Sequence, residues 1–266
     1  MNASFDVVIV GGGVTGAAVG YGLAKRGVKT CLVDAVPTFS RASRANMGLI
    51  WCQSKALGCP QFVRWGFASS RAYGKLAAEL KELSGIDTGY APTGGIIPCL
   101  GEAELEARAQ FIEKLRAETE DGTYPASVLS RKELEGMLPK VPFGPEVSGG
   151  IWSDMDGYVD PLHLMFAFRK SFVRLGGTLF AGELVSEVKP SGKGYTVVCG
   201  GRTLECGKAV LAAGLGVRKL AAQLGTDIPV FPNKSQVMLL ERIPADVLPI
   251  PLLGIARTFG GTVMIG

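Results

Sequence analysis

The sequence is poor in histidine and in paired cysteines. His163 is its single histidine among 266 residues. This scarcity excludes a histidine-rich metal site and weakens any assignment to Ser–His–Asp or Cys–His nucleophilic catalysis. The six cysteines contain no C-x-x-C pair. The chain therefore predicts neither a disulfide framework nor a four-cysteine zinc or iron–sulfur site, and we expect no metal.

Charge of one sign and long uninterrupted apolar runs are also lacking. The 28 Lys and Arg residues and 24 Asp and Glu residues give a net charge of +4, too balanced to indicate a nucleic-acid partner. The apolar run 5–24 is interrupted by glycines and Asp6, so it predicts no transmembrane segment. Without a signal-peptide pattern, the expected location is cytoplasmic, with peripheral attachment to the inner membrane as the alternative.

What the sequence does contain is a glycine-rich turn in a β–α–β context. Residues 5–10 form an apolar, β-branched run that predicts a buried parallel strand. Gly11-x-Gly13-x-x-Gly16 follows, then a predicted helix over 14–26 and a second strand over 29–33. In such a turn the glycines allow the tight bend, the approach of a pyrophosphate and close packing of helix on strand. The helix N-terminus offers N–H groups and partial positive charge to phosphates.

An acidic residue stands at the end of the second strand. Asp34 follows Gly16 by 18 residues, the spacing at which a carboxylate accepts hydrogen bonds from ribose hydroxyls. It would repel a 2′-phosphate, which disfavours NADP. The motif therefore predicts a dinucleotide, but by itself it does not separate FAD from NAD.

Four segments, in chain order, resemble the D-amino-acid oxidase-like family of FAD-dependent oxidoreductases. They are VVIVGGGVTGAAVGYGLAKRGVKTCLVD, SRASRANMGLIWCQSK, GYVDPLHLMFAFRKSFVRLGGTLFAGELVSEV and AVLAAGLGVRKLAAQLGTDIPVFPNKSQVMLLE. Within the family, the segment from Asn46 to Lys55 is most similar to opine oxidase B subunits and to hydrogen cyanide synthase-like and glycine oxidase-like members. Relatives continue beyond a strand like 262–265 with a glycine-rich segment, so the resemblance implies a C-terminal truncation.

The resemblance implies an α/β fold in two interleaved parts. A discontinuous Rossmann-like FAD-binding domain is expected from 1–84 and 157–229. An α+β substrate domain on a mixed or antiparallel sheet is expected from 85–156 and 230–266, incomplete at its end. The order of the sequence signals agrees, since apolar parallel-strand runs occur at 5–10 and again at 209–213, with acidic amphipathic segments between them.

The resemblance also implies a function. We expect FAD to accept a hydride from the carbon next to nitrogen in a small amino acid or an opine-like secondary amine. A hetero-oligomer with an electron-transfer subunit is expected as well. Two alternatives stay open: an NAD-dependent dehydrogenase that uses the same turn, and a non-catalytic or truncated flavoprotein subunit.

The site residues are carried over from the family position by position. Those expected to bind FAD are Gly11, Gly13, Val14, Thr15, Gly16, Asp34, Arg41, Ser43, Arg44, Asn46, Gly48, Leu49, Val185, Ala213 and Gly214. Arg257 and Lys55, and with less support Lys234, are candidates to bind the substrate carboxylate, because a basic side chain holds that group in related folds. The alternatives are an ordinary polar loop over 41–46, a surface arginine and solvated lysines. We interpret His163 as structural, and Cys199 and Cys206 as free thiols.

Overall fold

The computed structural model describes residues 3–35, 42–119 and 122–266. In chain order its strands are β1 (Ala3–Val10), β2 (Thr30–Asp34), β3 (Leu49–Ile50), β4 (Gly95–Leu100), β5 (Ser127–Ser130), β6 (Val147–Ser153), β7 (Gly157–Tyr158), β8 (Thr178–Ala181), β9 (Val185–Ser191), β10 (Gly194–Cys199), β11 (Arg202–Leu211), β12 (Met238–Leu240), β13 (Ile255–Arg257) and β14 (Val263–Ile265). The helices are α1 (Val14–Ala24), α2 (Pro60–Ser84), α3 (Gly101–Ala117), α4 (Arg131–Met137), α5 (Pro161–Arg174) and α6 (Val217–Ala222).

The chain divides into two compact units, and neither is a continuous segment. The first unit comprises Met1–Asn46, Glu79–Thr88 and Pro161–Lys234. The second comprises Met47–Ala78, Gly89–Asp160 and Ser235–Gly266. The interleaving agrees with the predicted organisation. Which unit binds which molecule remains a prediction.

The first unit is built on a six-stranded sheet in the order β8-β2-β1-β11-β10-β9. β1 pairs in parallel with β2 and β11, and β2 pairs in parallel with β8. β10 is antiparallel to both β9 and β11. Four strands of this sheet are thus parallel, as the β–α–β pattern predicts.

Both faces of β1 are buried, which explains its uninterrupted apolar sequence. Val7 and Ile9 pack with Phe172 of α5 in one core cluster, whereas Val8 and Val10 pack in another. Successive side chains of a strand point to opposite faces, so a strand covered on both sides needs apolar residues at every position. The glycine-rich turn therefore directly follows a strand that is buried on both faces.

The second unit contains short antiparallel sheets. Their strand orders are β4-β6-β5, β12-β14-β13 and β3-β7. Every strand pair within these sheets is antiparallel. The α+β character expected for the substrate domain is therefore present in this unit. α4 begins at a capping box, in which Ser130 accepts from the Glu133 amide and Glu133 accepts from the Ser130 amide.

Some element boundaries differ from the sequence expectations. α1 ends at Ala24 instead of Arg26, and the chain turns through Gly27, which has a φ of 73°. The apolar run 209–213 does not form a strand of its own, because β11 pairs with β1 at 204–206 and again at 208–211. Residues 178–191 contain two strands, β8 and β9, which pair with different neighbours.

The second unit also contains residues 47–78, which the sequence analysis places with the FAD-binding segments. Two packing contacts explain this grouping. β3 pairs with β7, and Val63 and Phe67 of α2 lie in one core cluster with Ile151 of β6. Among the described residues, no helix is both long enough and apolar enough to cross a membrane.

Candidate FAD-binding and substrate-oxidation site

The glycine-rich turn lies against the end of β11. Gly11 has a φ of 104°, and a Cβ added there would stand 2.4 Å from the Ala212 carbonyl oxygen. A Cβ on Gly16 would stand 1.9 Å from the Gly11 carbonyl oxygen, so α1 crosses directly over the turn. These two glycines are required by the close approach of backbone to backbone.

The N-terminus of α1 opens next to a serine from the following loop. Gly13 is the N-cap residue, and the Val14 amide donates to Ser43 Oγ over 3.0 Å. Ser43 Oγ also lies 2.9 Å from where a Cβ of Gly13 would stand. The structure therefore brings Ser43, predicted from a distant loop, to the first turn of the helix, where Thr15 is exposed. A helix N-terminus and a hydroxyl together suit a phosphate.

Asp34 lies beside the same turn. It is the last residue of β2, is only 1% exposed, and its Oδ2 accepts a hydrogen bond of 2.9 Å from the Gly12 amide. Sequence reasoning assigned this carboxylate to ribose hydroxyls and did not predict its bond to Gly12. The bond fixes the middle of the turn as well as the carboxylate.

Other residues predicted to bind FAD fall in both units. In the first unit, Ala213 and Gly214 follow β11, Val185 begins β9, and Asn46 Nδ2 donates to the Ala42 carbonyl over 3.0 Å. Arg44 is exposed there.

In the second unit, Gly48 accepts from the Val159 amide over 2.9 Å and Leu49 pairs with Tyr158. Arg41 lies outside the described residues. The role of each residue toward FAD remains a prediction.

A buried polar cluster that sequence reasoning missed connects the loop after β3 to Asp156, which lies between β6 and β7. Asp156 Oδ1 accepts from the Cys52 amide over 2.6 Å, and Asp156 Oδ2 accepts from Gln53 Nε2 over 2.7 Å. Gln53 Nε2 also donates to the Gly95 carbonyl over 2.8 Å. Burial raises the pKa of Asp156 to about 6, although these hydrogen bonds and the charge of Lys55 oppose the rise.

The chain matches known proteins over nearly its whole length. A sequence model of the FAD dependent oxidoreductase family named DAO matches residues 6–266. The chain belongs to this family of FAD-dependent oxidoreductases. The family is FAD-dependent, so the cofactor is FAD and the NAD-dependent alternative is excluded.

Three relatives illustrate the similarity. The opine oxidase B subunit of Agrobacterium tumefaciens (strain Ach5) is 34% identical over 262 residues, which are 98% of this chain and 70% of that protein. Hydrogen cyanide synthase subunit HcnC of Pseudomonas aeruginosa is 28% identical over 285 residues, covering 92% of this chain and 66% of that protein. The crystal structure of glycine oxidase from Geobacillus kaustophilus superposes with a TM-score of 0.89 at 28% identity, covering 100% of this chain and 71% of that chain.

The residues of the first unit fit the diphosphate and ribose of FAD. The fit rests on a helix N-terminus, a turn whose glycines leave room for backbone contact, and a carboxylate held at the turn. When bound, FAD supplies the hydride-accepting group of the DAO-family reaction, while the protein supplies binding, orientation and electrostatics.

The two main candidates for the substrate carboxylate, Arg257 and Lys55, have different surroundings, and the third, Lys234, is exposed. Both Nη atoms of Arg257 donate to backbone carbonyls: Nη1 to Gly261 over 2.8 Å, and Nη2 to Ile243 over 2.6 Å and to Pro244. Lys55 is exposed, and its charge helps to lower the pKa of Asp156. A carboxylate would compete with three carbonyls at Arg257 but not at Lys55.

The remaining single-residue expectations concern groups outside the turn. His163 Nδ1 lies 3.0 Å from the Asp87 carbonyl oxygen, a contact that suits the structural interpretation. Cys199 and Cys206 are both free and buried, as expected. Among the described residues, no group of three or more His, Cys, Asp or Glu residues could hold a metal ion.

Proposed function

We propose that this member of the DAO family oxidises the C–N bond of a small amino acid or of an opine-like secondary amine. The observation that carries the proposal is the turn from Gly11 to Gly16 with Asp34 bonded to Gly12, in a chain that matches the family over residues 6–266. The names of the similar proteins support the substrate class, since they include the opine oxidase B subunit and glycine oxidase.

Each group of the first unit has a distinct part in binding. The α1 N-terminus holds the diphosphate, because it presents N–H groups and partial positive charge, whereas the Gly12 and Val14 amides already donate to Asp34 and Ser43. Asp34 accepts from the ribose hydroxyls while keeping Gly12 in place. Ser43 closes the first turn of α1, and its hydroxyl stands where a phosphate oxygen approaches.

The chemistry makes modest demands on the protein's own side chains. An amine bound in its neutral form needs no general base for hydride transfer from the adjacent carbon. A chain with one histidine is therefore compatible with the reaction. What the protein must supply is a cation for the substrate carboxylate. We place Lys55 ahead of Arg257 in that role, because the guanidinium already serves three carbonyls.

A second protein chain is proposed as the outlet for electrons. Two of the similar proteins are named as subunits, namely the opine oxidase B subunit and hydrogen cyanide synthase subunit HcnC. The sequence itself offers no C-x-x-C set for an iron–sulfur relay. Electrons therefore leave this chain through a partner that carries its own redox centre.

The spectrum of the purified protein tests the function. We expect the yellow absorbance of an oxidised flavin, which bleaches under anaerobic conditions with at least one compound from a panel of amino acids and opines. A protein that is colourless and takes up no FAD on reconstitution would contradict the assignment. A yellow protein that no compound bleaches would instead be a non-catalytic flavoprotein subunit.

A further inference from the structure

Loop 51–56, from Trp51 to Ala56, has a backbone that its own residues disfavour. Ser54 and Ala56 have φ values of 56° and 61°. Among the described residues, Arg242 is the other non-glycine residue with a positive φ. The left-handed conformation is unfavourable for a residue with a Cβ, and such residues persist where their surroundings impose them, often at functional sites.

A buried carboxylate imposes the conformation of the loop. Asp156, which is 2% exposed, accepts from the amides of Cys52 and Gln53 over 2.6 and 3.4 Å and from Gln53 Nε2 over 2.7 Å. Gln53, 1% exposed, connects the carboxylate to the Gly95 carbonyl through the same Nε2. Tyr124 adds a neutral contact, since its hydroxyl accepts from the Ser54 amide over 3.0 Å.

This arrangement does not maximise the stability of the folded protein. A buried carboxylate without a bonded cation loses its hydration, and an apolar residue of similar size would avoid that loss. The Gln53 Oε1 atom is also buried and has no hydrogen-bond partner among the described residues. An unpaired amide oxygen and two left-handed residues within one short loop, together with a buried acid that bonds to that loop, indicate a functional constraint.

We propose that Asp156, acting through Gln53, is a positioning residue that fixes loop 51–56 for substrate binding in the oxidation reaction. The proposal rests on the proposed function, because Lys55 lies within this loop and is our first candidate to hold the substrate carboxylate. Ionised Asp156 accepts three N–H groups and keeps Lys55 in one place. A less ordered loop binds the carboxylate more weakly.

The arrangement depends on the ionised state of Asp156. A proton on either carboxylate oxygen competes with an N–H group that now donates to it. The Gln53 amide then turns over, so that Oε1 accepts from the carboxyl O–H and Nε2 leaves the Gly95 carbonyl. The other groups near Asp156 are the Lys55 ammonium, the Cys52 thiol and the Tyr124 hydroxyl. Burial raises the pKa of the thiol to about 11 and that of the hydroxyl to about 12, so Asp156 is the one of these acids that titrates near neutral pH.

The test compares Asp156→Asn with Asp154→Asn, an exposed acid two residues earlier in the chain. The measurements are FAD affinity and the pH profile of kcat/KM for the substrate that bleaches the flavin. In the wild type we expect kcat/KM, expressed per unprotonated substrate amine, to fall below about pH 6, about tenfold per pH unit for one proton. Asp156→Asn should lose this step and raise KM about tenfold, with FAD affinity within about twofold of the wild type. Asp154→Asn should behave as the wild type.

A second variant separates positioning from a merely structural role. Gln53→Met keeps the shape of the side chain and removes both Nε2 hydrogen bonds. Because Asp156 then loses a donor, its pKa should rise and the step in kcat/KM should move to higher pH. Tyr124→Phe removes a neutral contact of the same loop and should leave the step where it is. A step that stays in place in Gln53→Met, or persists in Asp156→Asn, would overturn the proposal.

A measurement without substrate separates this proposal from the proposed function. The Cys59→Ser substitution removes the exposed thiol. Of the remaining cysteines, Cys52 is half-buried and the other four are buried. If Asp156 fixes the loop, dithiodipyridine should label Cys52 at least about tenfold faster in the Asp156→Asn variant than in the Asp154→Asn variant at the same pH. Equal labelling rates would overturn the positioning role even if the flavin bleaches normally.

Discussion

At the scale of single residues, Asp34 has one contact that the structure shows and one role that we propose. Its spacing from Gly16 indicates ribose binding, whereas the structure adds a hydrogen bond to the Gly12 amide. A buried carboxylate that accepts such hydrogen bonds contributes about 1.5–3 kcal/mol. The residue therefore supports the turn, and we propose that it also binds the ligand.

We expect Asp34→Ala to lower the affinity for FAD by about 10- to 100-fold, as that loss of charge-assisted hydrogen bonds implies. Titration of the apoprotein with FAD, followed by flavin fluorescence, measures the effect. Asp6→Ala is the matched control, because the Asp6 carboxylate is exposed and accepts from the Lys29 amide near the start of β1. An unchanged dissociation constant in Asp34→Ala would show that the residue only ends its strand.

Asp156 gives a second residue-scale prediction, in the pH dependence of stability. Its pKa is about 6 in the folded protein and 3.8 for an ordinary aspartate. A folded-state pKa that is raised means that the protonated carboxyl is the stabilising form. Its contribution is complete below about pH 4 and is lost as the pH rises through 6, a loss of about 3 kcal/mol by pH 7.

Asp156→Asn should remove this pH-dependent loss. The quantity to compare is the unfolding free energy of the variant minus that of the wild type, measured in urea. It should be about 3 kcal/mol larger at pH 7 than at pH 4, because only the wild type loses stability as the pH rises. Only the difference between the two proteins is interpreted, because other groups titrate in both. Asp154→Asn should show a constant difference from the wild type. A constant difference for Asp156→Asn as well would contradict the raised pKa.

At the scale of elements, two glycines of the β1 and α1 region show two different penalties for a substitution. One is backbone strain alone, and the other is strain together with a steric clash. Gly11 and Gly27 both have positive φ values, of 104° and 73°. A Cβ on Gly27 would meet nothing within 4 Å, whereas a Cβ on Gly11 would collide with the Ala212 carbonyl. Gly27→Ala should therefore lose about 1 kcal/mol of unfolding free energy, from backbone strain alone.

Gly11→Ala should lose clearly more than Gly27→Ala, because the turn must move away from β11 as well as adopt a strained φ. We also expect it to abolish the binding of FAD, which Gly27→Ala should preserve. Thermal unfolding and flavin content of the two purified variants measure both effects. Equal losses of stability would show that the turn does not lie against Ala212.

Arg257 connects β13 to two other segments of the second unit. Its guanidinium donates to the carbonyls of Ile243, Pro244 and Gly261, a set that the single ammonium of lysine cannot reproduce. Arg257→Lys should therefore lower the free energy of unfolding by about 1–3 kcal/mol. Arg26→Lys is the control, since Arg26 makes one exposed contact with the Gly22 carbonyl. Unchanged stability with a raised substrate KM would instead support the carboxylate-binding role.

The same elements show what the sequence could predict. The turn after β1 follows from residues within one β–α–β unit, so local pattern was sufficient for Gly11, Gly16 and Asp34. The Gln53–Asp156 contact joins residues 103 positions apart, and no local pattern indicates it. The apolar run 209–213 looks like a separate strand, whereas pairing with β1 on both sides of Gly207 makes it part of β11. Tertiary pairing overrides local propensity there.

At the scale of the whole molecule, the chain passes between its two units five times, after residues 46, 78, 88, 160 and 234. The central strand of the first unit depends on distant partners. β1 pairs with β2, which follows directly, and with β11, which begins at residue 202. We therefore expect the β1–β11 pairing to form late in folding, since pairing across such a long connection must overcome a large loss of chain entropy.

This organisation predicts that neither part of the chain folds alone when the protein is divided at residue 160. The fragment 1–160 lacks β8, β9, β10 and β11, so β1 has one unpaired edge and its apolar face loses Phe172. The fragment 161–266 lacks β1 and β2, which leaves β8 without a partner and β11 paired with β10 alone. We expect each fragment, expressed separately, to give the narrow amide dispersion of an unfolded chain in NMR spectra. Co-expression should restore a soluble complex that binds FAD, because every strand is then present and only one connection is broken. A fragment 1–160 that folds and binds FAD by itself would contradict the interleaved architecture, since the β1–β11 pairing would then be dispensable.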